Sequence, residues 1–189
     1  MRWKQLITQT LNLNLPSMAL RPPVSNTDHI EGNVDAPIEL VEYGDYQCPH
    51  CGRAYPIIKA LQKEFGDRLK FVFRNFPLRK IHPEAEMAAI AAEAAALQGK
   101  YFEMHDIIFE NQDALSEEVF PEFARAIDLD QKKFITDLSR EDLKTRVESD
   151  FESGIRSGVN ATPTFFINGE KYTRGWEGKQ LEEFIRTTR

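Results

Sequence analysis

Over residues 38–51 the chain reads IELVEYGDYQCPHC. Its first six residues are β-rich and alternate in polarity, which predicts a strand that ends at Gly44. Residues 49–65 carry apolar side chains at spacings of three and four and are followed by Gly66, which predicts a helix. Cys48 and Cys51, the only cysteines of the chain, therefore lie where a strand meets a helix.

Two further patterns extend this unit into a sheet. The run LKFVFRNF at residues 69–76 predicts a second strand, so strand, helix and strand form a βαβ unit with parallel strands and a right-handed crossover. Residues 164–167 and 171–174, on either side of Asn168-Gly169, predict a β-hairpin, because an Asn-Gly turn favours positive φ. A final helix is predicted from about residue 178 to 186.

The middle of the chain has helical spacing throughout. Its first predicted helix stops at Gly99, and its last one covers about residues 141–157. An all-helical block between a βαβ unit and a ββα unit is interpreted as an insertion. We therefore predict a flexible N-terminal extension at residues 1–27, the first half of an α/β domain at 28–81, a helical subdomain at 82–158 and the second half of the domain at 159–189.

Composition and charge exclude several classes of function. A length of 189 residues, with 41% hydrophobic and 29% charged residues, suits one globular domain with a buried core. The net charge is −6, and residues 1–27 hold three basic and no acidic residues, which leaves −9 for residues 28–189. Such a surface repels phosphate backbones, so we expect no nucleic-acid partner. No stretch approaches the ~20 apolar residues of a membrane span.

The N-terminal segment lacks the continuous apolar core of a secretory signal, because Thr, Gln and Asn interrupt residues 6–15. This predicts a cytoplasmic protein. A flexible extension ending at Arg21-Pro22-Pro23 is the simplest interpretation of residues 1–27, although their basic, acid-free composition also resembles an organellar transit peptide.

The spacing of the two cysteines favours reversible thiol–disulfide chemistry. At the start of a helix, side chains three residues apart share one face, so two sulfur atoms can form a disulfide with little backbone movement. The free N–H groups and the dipole of the helix start lower a thiol pKa, which makes Cys48 the predicted nucleophile. Cys51, one turn deeper, is the predicted resolving cysteine, which attacks Cys48 in a mixed disulfide.

His50 lies between the cysteines. An imidazolium beside Cys48 would stabilise the thiolate, and with it the reduced form, which makes the disulfide more oxidising. The alternative is a solvent-exposed loop histidine without influence on the sulfur.

Two other uses of the cysteines are weighed against this one. His29, His82 and His105 could complete a Cys₂His₂ zinc site, but they are scattered, whereas zinc motifs pair their ligands closely. A purely structural disulfide is disfavoured because so short a loop constrains the chain very little. We expect no metal site.

Two longer motifs resemble the DsbA-like branch of the thioredoxin superfamily. The first is EYGDYQCPHC at residues 42–51, whose Pro49-His50 dipeptide is that of the oxidase of the branch. The second is GVNATPTFFING at residues 158–169. The resemblance covers about residues 30–186. It implies an α/β, thioredoxin-like fold with a central mixed β-sheet flanked by helices and an inserted all-helical subdomain.

The resemblance also implies roles for residues outside the CxxC motif. Pro163 would follow a cis peptide bond and face the cysteines, while Thr162 would offer its backbone to a substrate chain. Glu42 matches a buried carboxylate that takes the proton of the resolving thiol, the alternative being a strand glutamate turned to solvent. Arg74 would balance Glu42 or lie as a solvated edge charge.

Aromatic and apolar residues of the helical block are expected to pack in the core. His105 is likewise predicted to be a packing residue. Some of this set could instead line an apolar groove beside the sulfur, where the family docks extended polypeptides: Tyr101, Phe102, Ile108 and Phe109.

The function implied by the resemblance is that of a protein disulfide oxidoreductase. Its partners would be protein or peptide thiols and disulfides, and it would need no cofactor beyond the Cys48–Cys51 couple. A thioredoxin or glutathione system, or a membrane oxidase, would recycle it. Thr162 resembles the residue of reductase or isomerase relatives, which leaves the redox direction open.

Two other classes of function stay open. A glutathione-dependent transferase or isomerase can share this architecture, but such relatives typically have serine at the nucleophile position, so the two cysteines speak against it. A non-catalytic polypeptide-binding or chaperone module is the third interpretation.

Overall fold

The computed structural model describes residues 18–188, which fold around a mixed five-stranded sheet. Within this part of the chain the spatial strand order is β1-β3-β2-β4-β5, with β2 and β3 parallel and the other neighbours antiparallel. This confirms the predicted α/β, thioredoxin-like architecture. The strands are β1 (Ile30–Gly32), β2 (Ile38–Gly44), β3 (Leu69–Asn75), β4 (Thr164–Ile167) and β5 (Glu170–Lys171).

The βαβ unit forms as the sequence pattern predicts. Helix α1 (Pro49–Phe65) joins β2 to β3 and ends at Gly66, whose φ of 49° suits a residue without a Cβ. Its buried residues repeat at helical spacing and pack against the sheet. Because α1 begins directly after Cys48, the cysteines lie at the end of the sheet where β2 stops.

The helical block separates β3 from β4 and lies within residues 82–158. In α2 the many alanines leave little side-chain bulk, so this helix is buried around most of its circumference. One short helix, α7, follows β5 and packs on the sheet through Leu181 and Ile185. The helices are α2 (Ala85–Ala96), α3 (Tyr101–Glu110), α4 (Phe120–Ala126), α5 (Gln131–Asp137), α6 (Glu141–Arg156) and α7 (Gln180–Thr187).

Each face of the sheet buries its own apolar cluster. Leu40 and Phe73 face α1 and the helical block, whereas Val41 and Tyr43 face the opposite side, where Phe151 of α6 packs. Successive side chains of a strand point to opposite faces. Glu42 therefore lies on the same face as Leu40, beneath α1.

The structure differs from the predicted flexible extension for residues 18–27. Leu20 is buried, its N–H donates to the carbonyl oxygen of Gly169 at 2.8 Å, and Ala19 forms an antiparallel bridge with Glu170. Residues 18–20 therefore pair with the outer edge of β5, and Leu20 adds to the apolar cluster beneath it. The remainder of the predicted extension, residues 1–17, lies outside the described residues.

Within residues 18–188, none of the helices combines the length and the apolar character needed to cross a bilayer.

Candidate active site

Cys48 occupies the N-cap position of α1, and Pro49 is the first helical residue. Proline suits this position because it has no N–H to leave unpaired and its ring fixes a helical φ. The N–H groups of the next two residues, His50 and Cys51, have no intrahelical acceptor at this end of the helix. The Cys48 side chain therefore lies where a capping acceptor would receive them.

The sulfur of Cys48 ionises easily. Neither cysteine forms a disulfide, and the Cys48 Sγ lies 3.6 Å from the carbonyl oxygen of Thr162. A hydrogen bond from the Cys51 side chain, helped by Thr162 and by the N–H groups of Cys51 and His50, outweighs burial and lowers the pKa of Cys48 to about 5. At neutral pH this sulfur is a thiolate, the reactive form.

Cys51 is held in the opposite state. It is fully buried, and burial followed by its contact with Cys48 raises its pKa well above the ordinary value for a thiol. The N–H of Asp45 donates to the Cys51 Sγ at 3.4 Å. Two sulfurs of one motif thus differ in charge, which is the arrangement that a nucleophile and a resolving thiol require.

Glu42 is a buried carboxyl group next to this pair. It is 3% exposed, and burial together with the charge of Cys48 raises its pKa to about 8. The same carboxyl group contributes to the high pKa of Cys51 through electrostatic repulsion. Glu42 is therefore not the solvent-facing strand residue of the alternative interpretation, and it can hold a proton at neutral pH.

His50 contributes to the site through its backbone, not through its ring. Its N–H stabilises the Cys48 thiolate, whereas its imidazole is exposed and accepts a 2.8 Å hydrogen bond at Nδ1 from Arg53. Arg53 also pairs with Glu177 at 3.3 Å. The ring of His50 thus faces Arg53, and no hydrogen bond among the described residues joins this ring to Cys48.

The loop before β4 faces the cysteines. The Thr162–Pro163 peptide bond is cis, as the resemblance implied. Thr162 is 8% exposed, and its Oγ1 atom is buried without a hydrogen-bond partner among the described residues. Its carbonyl oxygen lies 3.6 Å from the Cys48 sulfur, and its side chain contributes to the lowered pKa of Cys48.

Comparison with known proteins assigns this arrangement. A family model described as thioredoxin matches residues 24–187. The chain belongs to the thioredoxin family.

The chain is also similar to solved structures with the same fold, which agrees with the resemblance to the DsbA-like branch. Oxidised BdbD from Bacillus subtilis is 25% identical with a TM-score of 0.75, over 85% of this chain and 92% of that one. The thiol-disulfide exchange protein alpha-DsbA2 from Wolbachia pipientis is 21% identical with a TM-score of 0.75, over 86% of this chain and 87% of that one.

Curated relatives of this thioredoxin-family chain carry a different name. The Na(+)/H(+) antiporter NhaA 1 of Mycobacterium sp. (strain KMS) is 43% identical over 164 residues, which is 86% of this chain and 27% of the antiporter. The chain thus spans about a quarter of the length of these relatives.

Asp45 organises the thioredoxin-family motif, and the sequence analysis assigned it no role beyond the end of the strand. Its carbonyl oxygen accepts from the Cys48 N–H at 3.1 Å, while its own N–H reaches Cys51. Its carboxylate is fully buried and accepts from the N–H groups of Gln47 and Leu78 and from His82 Nδ1, at 2.8, 2.7 and 2.8 Å. An aspartate three residues before the first cysteine of a CxxC motif is the local signal that could have indicated it.

Gln112, between α3 and α4, is a second residue that the sequence analysis missed. Its Nε2 donates to the carbonyl oxygens of Tyr46 and Cys48 at 2.7 and 3.0 Å. A Cβ at Gly52 would collide with its Oε1. The helical block therefore holds the loop that carries Cys48. No short-range sequence pattern predicts such a contact.

An open cavity of about 490 Å³ lies beside Pro49. Phe109 and Gln112 line it from the helical block, and Gly52 and Arg53 line it from α1. Phe109 is the member of the predicted aromatic set that borders this cavity, while Tyr101 and Ile108 are buried in the core. This cavity near the start of α1 is thus lined by both polar and apolar groups, and neither cysteine borders it.

The histidines of the rejected zinc set each have another partner. His29 contacts Glu93 at 2.8 Å, His82 contacts Asp45, and the Nδ1 of His105 forms a 3.1 Å hydrogen bond with the Tyr46 hydroxyl. Burial lowers the pKa of His105 to about 3, so it packs as a neutral ring. Residues 18–188 contain no group of three or more His, Cys, Asp or Glu residues able to hold a metal ion.

Both expectations for Arg74 are wrong. It is buried, and its guanidinium forms 2.7 and 3.1 Å hydrogen bonds with Asp28 and a 2.9 Å bond with the Tyr43 hydroxyl. In the strand register Arg74 lies opposite Tyr43, not opposite Glu42. Its side chain therefore points to the other face of the sheet.

Proposed function

We propose that this chain exchanges disulfide bonds with polypeptide substrates through the Cys48–Cys51 couple. The observation that carries the proposal is the Cys48 sulfur: its pKa is lowered to about 5, and it lies 3.6 Å from the carbonyl oxygen of Thr162 in the loop facing it. An ionised thiol can attack a disulfide, and a backbone edge beside it can hold the attacked chain during that attack.

The reductive direction takes two steps. The Cys48 thiolate attacks one sulfur of the substrate disulfide, a bond forms between them, and the other substrate sulfur leaves as a thiolate. Cys51 then loses its proton and attacks the Cys48 Sγ, so that the Cys48–Cys51 disulfide forms and the first substrate sulfur leaves with the electron pair. The two electrons gained by the substrate are those lost by the dithiol. Oxidation of a substrate is the same sequence in reverse.

Glu42 is proposed to accept the proton of Cys51. The charge of the Cys48 thiolate contributes to the high pKa of Glu42. That charge disappears when Cys48 enters a mixed disulfide, so the pKa of Glu42 falls and its carboxyl group gives up its proton, which balances the thiolate released from the substrate. The resulting carboxylate can then accept the proton of Cys51. Formation of the mixed disulfide would thus convert Glu42 into the base that the next step needs.

The substrate-binding edge is proposed to be the backbone of Thr162 and Pro163. An extended chain that pairs there would bring its sulfur to Cys48, as in strand addition to a sheet edge. The cavity beside Pro49 and Phe109 would receive flanking side chains. What this chain shares with the relatives named as antiporters is the thioredoxin-family unit, so we propose thiol–disulfide exchange for it, not ion transport.

The experiment that tests this function follows insulin reduction by dithiothreitol with the wild-type chain, Cys48→Ser and Cys51→Ser. We expect catalysis by the wild type only. In a parallel reaction without dithiothreitol, we expect a trapped Cys48–substrate disulfide in Cys51→Ser, because no thiol is then present to resolve it. Full activity of Cys48→Ser would refute the mechanism. Glutathione conjugation by Cys51→Ser would favour the transferase alternative, and client protection by a chain lacking both thiols would favour a binding module.

The cytoplasmic location stays a prediction, as does the recycling partner. In a reducing compartment the resting form would be the dithiol, and in an oxidising one the disulfide. Trapping the thiols with an alkylating agent in intact cells separates the two cases. A resting dithiol would fit recycling by a thioredoxin or glutathione system, and a resting disulfide would fit a membrane oxidase.

A further inference from the structure

One residue, Asp45, touches both cysteines through its backbone. Its carbonyl oxygen accepts from the N–H of Cys48, and its N–H donates to the Sγ of Cys51 at 3.4 Å. The peptide group that carries the Asp45 N–H must therefore keep its orientation for that N–H to stay on the sulfur of Cys51. A rotation of this backbone would remove the N–H from the resolving sulfur.

The side chain of Asp45 is what restrains that rotation. Its carboxylate has no solvent exposure and is satisfied by three donors. Two of them are the backbone N–H groups of Gln47 and Leu78, and the third is the Nδ1 of His82. Among these donors, His82 is the one supplied by a side chain, at 2.8 Å and with 15% of that side chain exposed.

His82 belongs to the first residues of the predicted helical subdomain, and Asp45 belongs to the loop of the cysteines. The contact joins parts of the chain 37 residues apart in sequence. A buried carboxylate that loses one of its donors keeps an unsatisfied oxygen, which costs more than the hydrogen bond itself contributes and favours rearrangement toward water. Loss of the His82 donor would therefore disturb the Asp45 backbone.

We propose that His82 is a positioning residue for the resolving step: its hydrogen bond to the Asp45 carboxylate holds the Asp45 N–H on the sulfur of Cys51. This inference rests on the proposed thiol–disulfide exchange. When Cys51 gives up its proton and attacks the Cys48 Sγ, negative charge develops on a buried sulfur. The Asp45 N–H points at that atom and stabilises the charge without reorganisation.

The role predicts a defect in the second chemical step alone. Attack by Cys48 depends on the helix N-terminus and on Thr162, neither of which His82 contacts among the hydrogen bonds of the described residues. Release of the substrate depends on Cys51. His82→Ala should therefore form the mixed disulfide at the wild-type rate and release it on the order of tenfold more slowly, because small displacements of a reacting group cost rate steeply.

The test uses the full chain and a fluorescent peptide carrying an activated disulfide. Reactions quenched with acid at successive times give the rate at which the peptide becomes attached to Cys48 and the rate at which it is released. His82→Asn is the rescue variant, since its amide nitrogen can donate from nearly the place of Nδ1. His29→Ala is the matched control, because His29 also contacts a buried carboxylate at 2.8 Å, that of Glu93, but touches neither cysteine.

We expect slow release in His82→Ala, and near wild-type release in His82→Asn and His29→Ala. Wild-type release by His82→Ala, or equal slowing in His29→Ala, would overturn the inference. Equal slowing in both His82 variants would also overturn it, because the donor would then not be what matters. Unfolding of His82→Ala would show as loss of the rapid alkylation of Cys48, and the Asn variant then decides. If the wild type forms no mixed disulfide at all, the proposed function fails and takes this inference with it.

Discussion

The carbonyl oxygen of Thr162 lies 3.6 Å from the Sγ of Cys48, although 114 residues separate them in the chain. The helical block lies between the two segments in the sequence. The pairing of β2 with β4 brings them together, with Tyr43 opposite Thr164. Two distant segments thus surround the Cys48 sulfur. The start of α1 supplies the N–H groups of His50 and Cys51, and the loop before β4 supplies Thr162.

Alkylation of Cys48 should depend on pH with a midpoint near 5. Its pKa is lowered from 9.0 to about 5, so iodoacetamide should modify the reduced protein at a nearly constant rate above pH 6 and more slowly as the pH falls. A thiol with a lowered folded-state pKa stabilises the reduced fold above its unfolded pKa, and this contribution is lost as the pH falls through about 5. A midpoint near that of free cysteine, about 8.5, would contradict the site assignment.

The reduction potential should lie between those of thioredoxin and DsbA, about −270 and −120 mV. Their nucleophiles have pKa values of about 7 and 3.5, and that of Cys48, about 5, falls between them. A more stable thiolate stabilises the reduced form and makes the disulfide more oxidising. Equilibration with glutathione buffers measures the potential. A value below that of thioredoxin would show that the lowered pKa does not govern the couple.

Replacing Thr162 by Val should raise the pKa of Cys48. The Thr162 side chain contributes to the lowered pKa, and its buried hydroxyl has no other partner among the described residues. Valine keeps the shape and the backbone but removes the donor, so the alkylation midpoint should move upward while the fold is retained. Thr164→Val is a matched control, because the Thr164 hydroxyl donates to the carbonyl oxygen of Ala161 instead. An unchanged midpoint in Thr162→Val would exclude the hydroxyl from the site.

Replacing Glu42 by Gln should slow resolution and change the pH dependence of stability. The folded-state pKa of Glu42, about 8, lies above its ordinary value of 4.5. The folded state therefore binds more protons between these values, so this group's contribution to stability is present below pH 4.5 and is lost as the pH rises through 8.

The measurement for Glu42 is urea unfolding of reduced wild type and Glu42→Gln at pH 5 and pH 8. The free energy of unfolding of the variant relative to wild type should increase with pH, because glutamine cannot ionise. Exchange activity should fall while Cys48 alkylation stays rapid, since the nucleophile is still formed. The same pH dependence of the unfolding free energy in both proteins would mean that folding does not raise the pKa of Glu42.

Local patterns predicted much of the fold. The strand ending at Gly44, the helix Pro49–Phe65 and the strand Thr164–Ile167 appear where apolar spacing and the breakers Gly44 and Gly66 indicated. Such patterns depend on neighbours a few residues away and need no tertiary information. The three-residue strand β1 was missed, because so short a strand exists only through its pairing with β3.

The site divides in the same way. The sequence alone placed one cysteine at the N-terminus of a helix and a second one turn further along. It could do so because a CxxC motif after a strand contains both within one local segment. Tertiary structure alone decided that His82 contacts the Asp45 carboxylate, that Arg74 pairs with Asp28, and that His50 turns its ring to Arg53. Each of these contacts is selected by burial and charge after the chain has folded, and those forces act between side chains irrespective of their distance along the sequence.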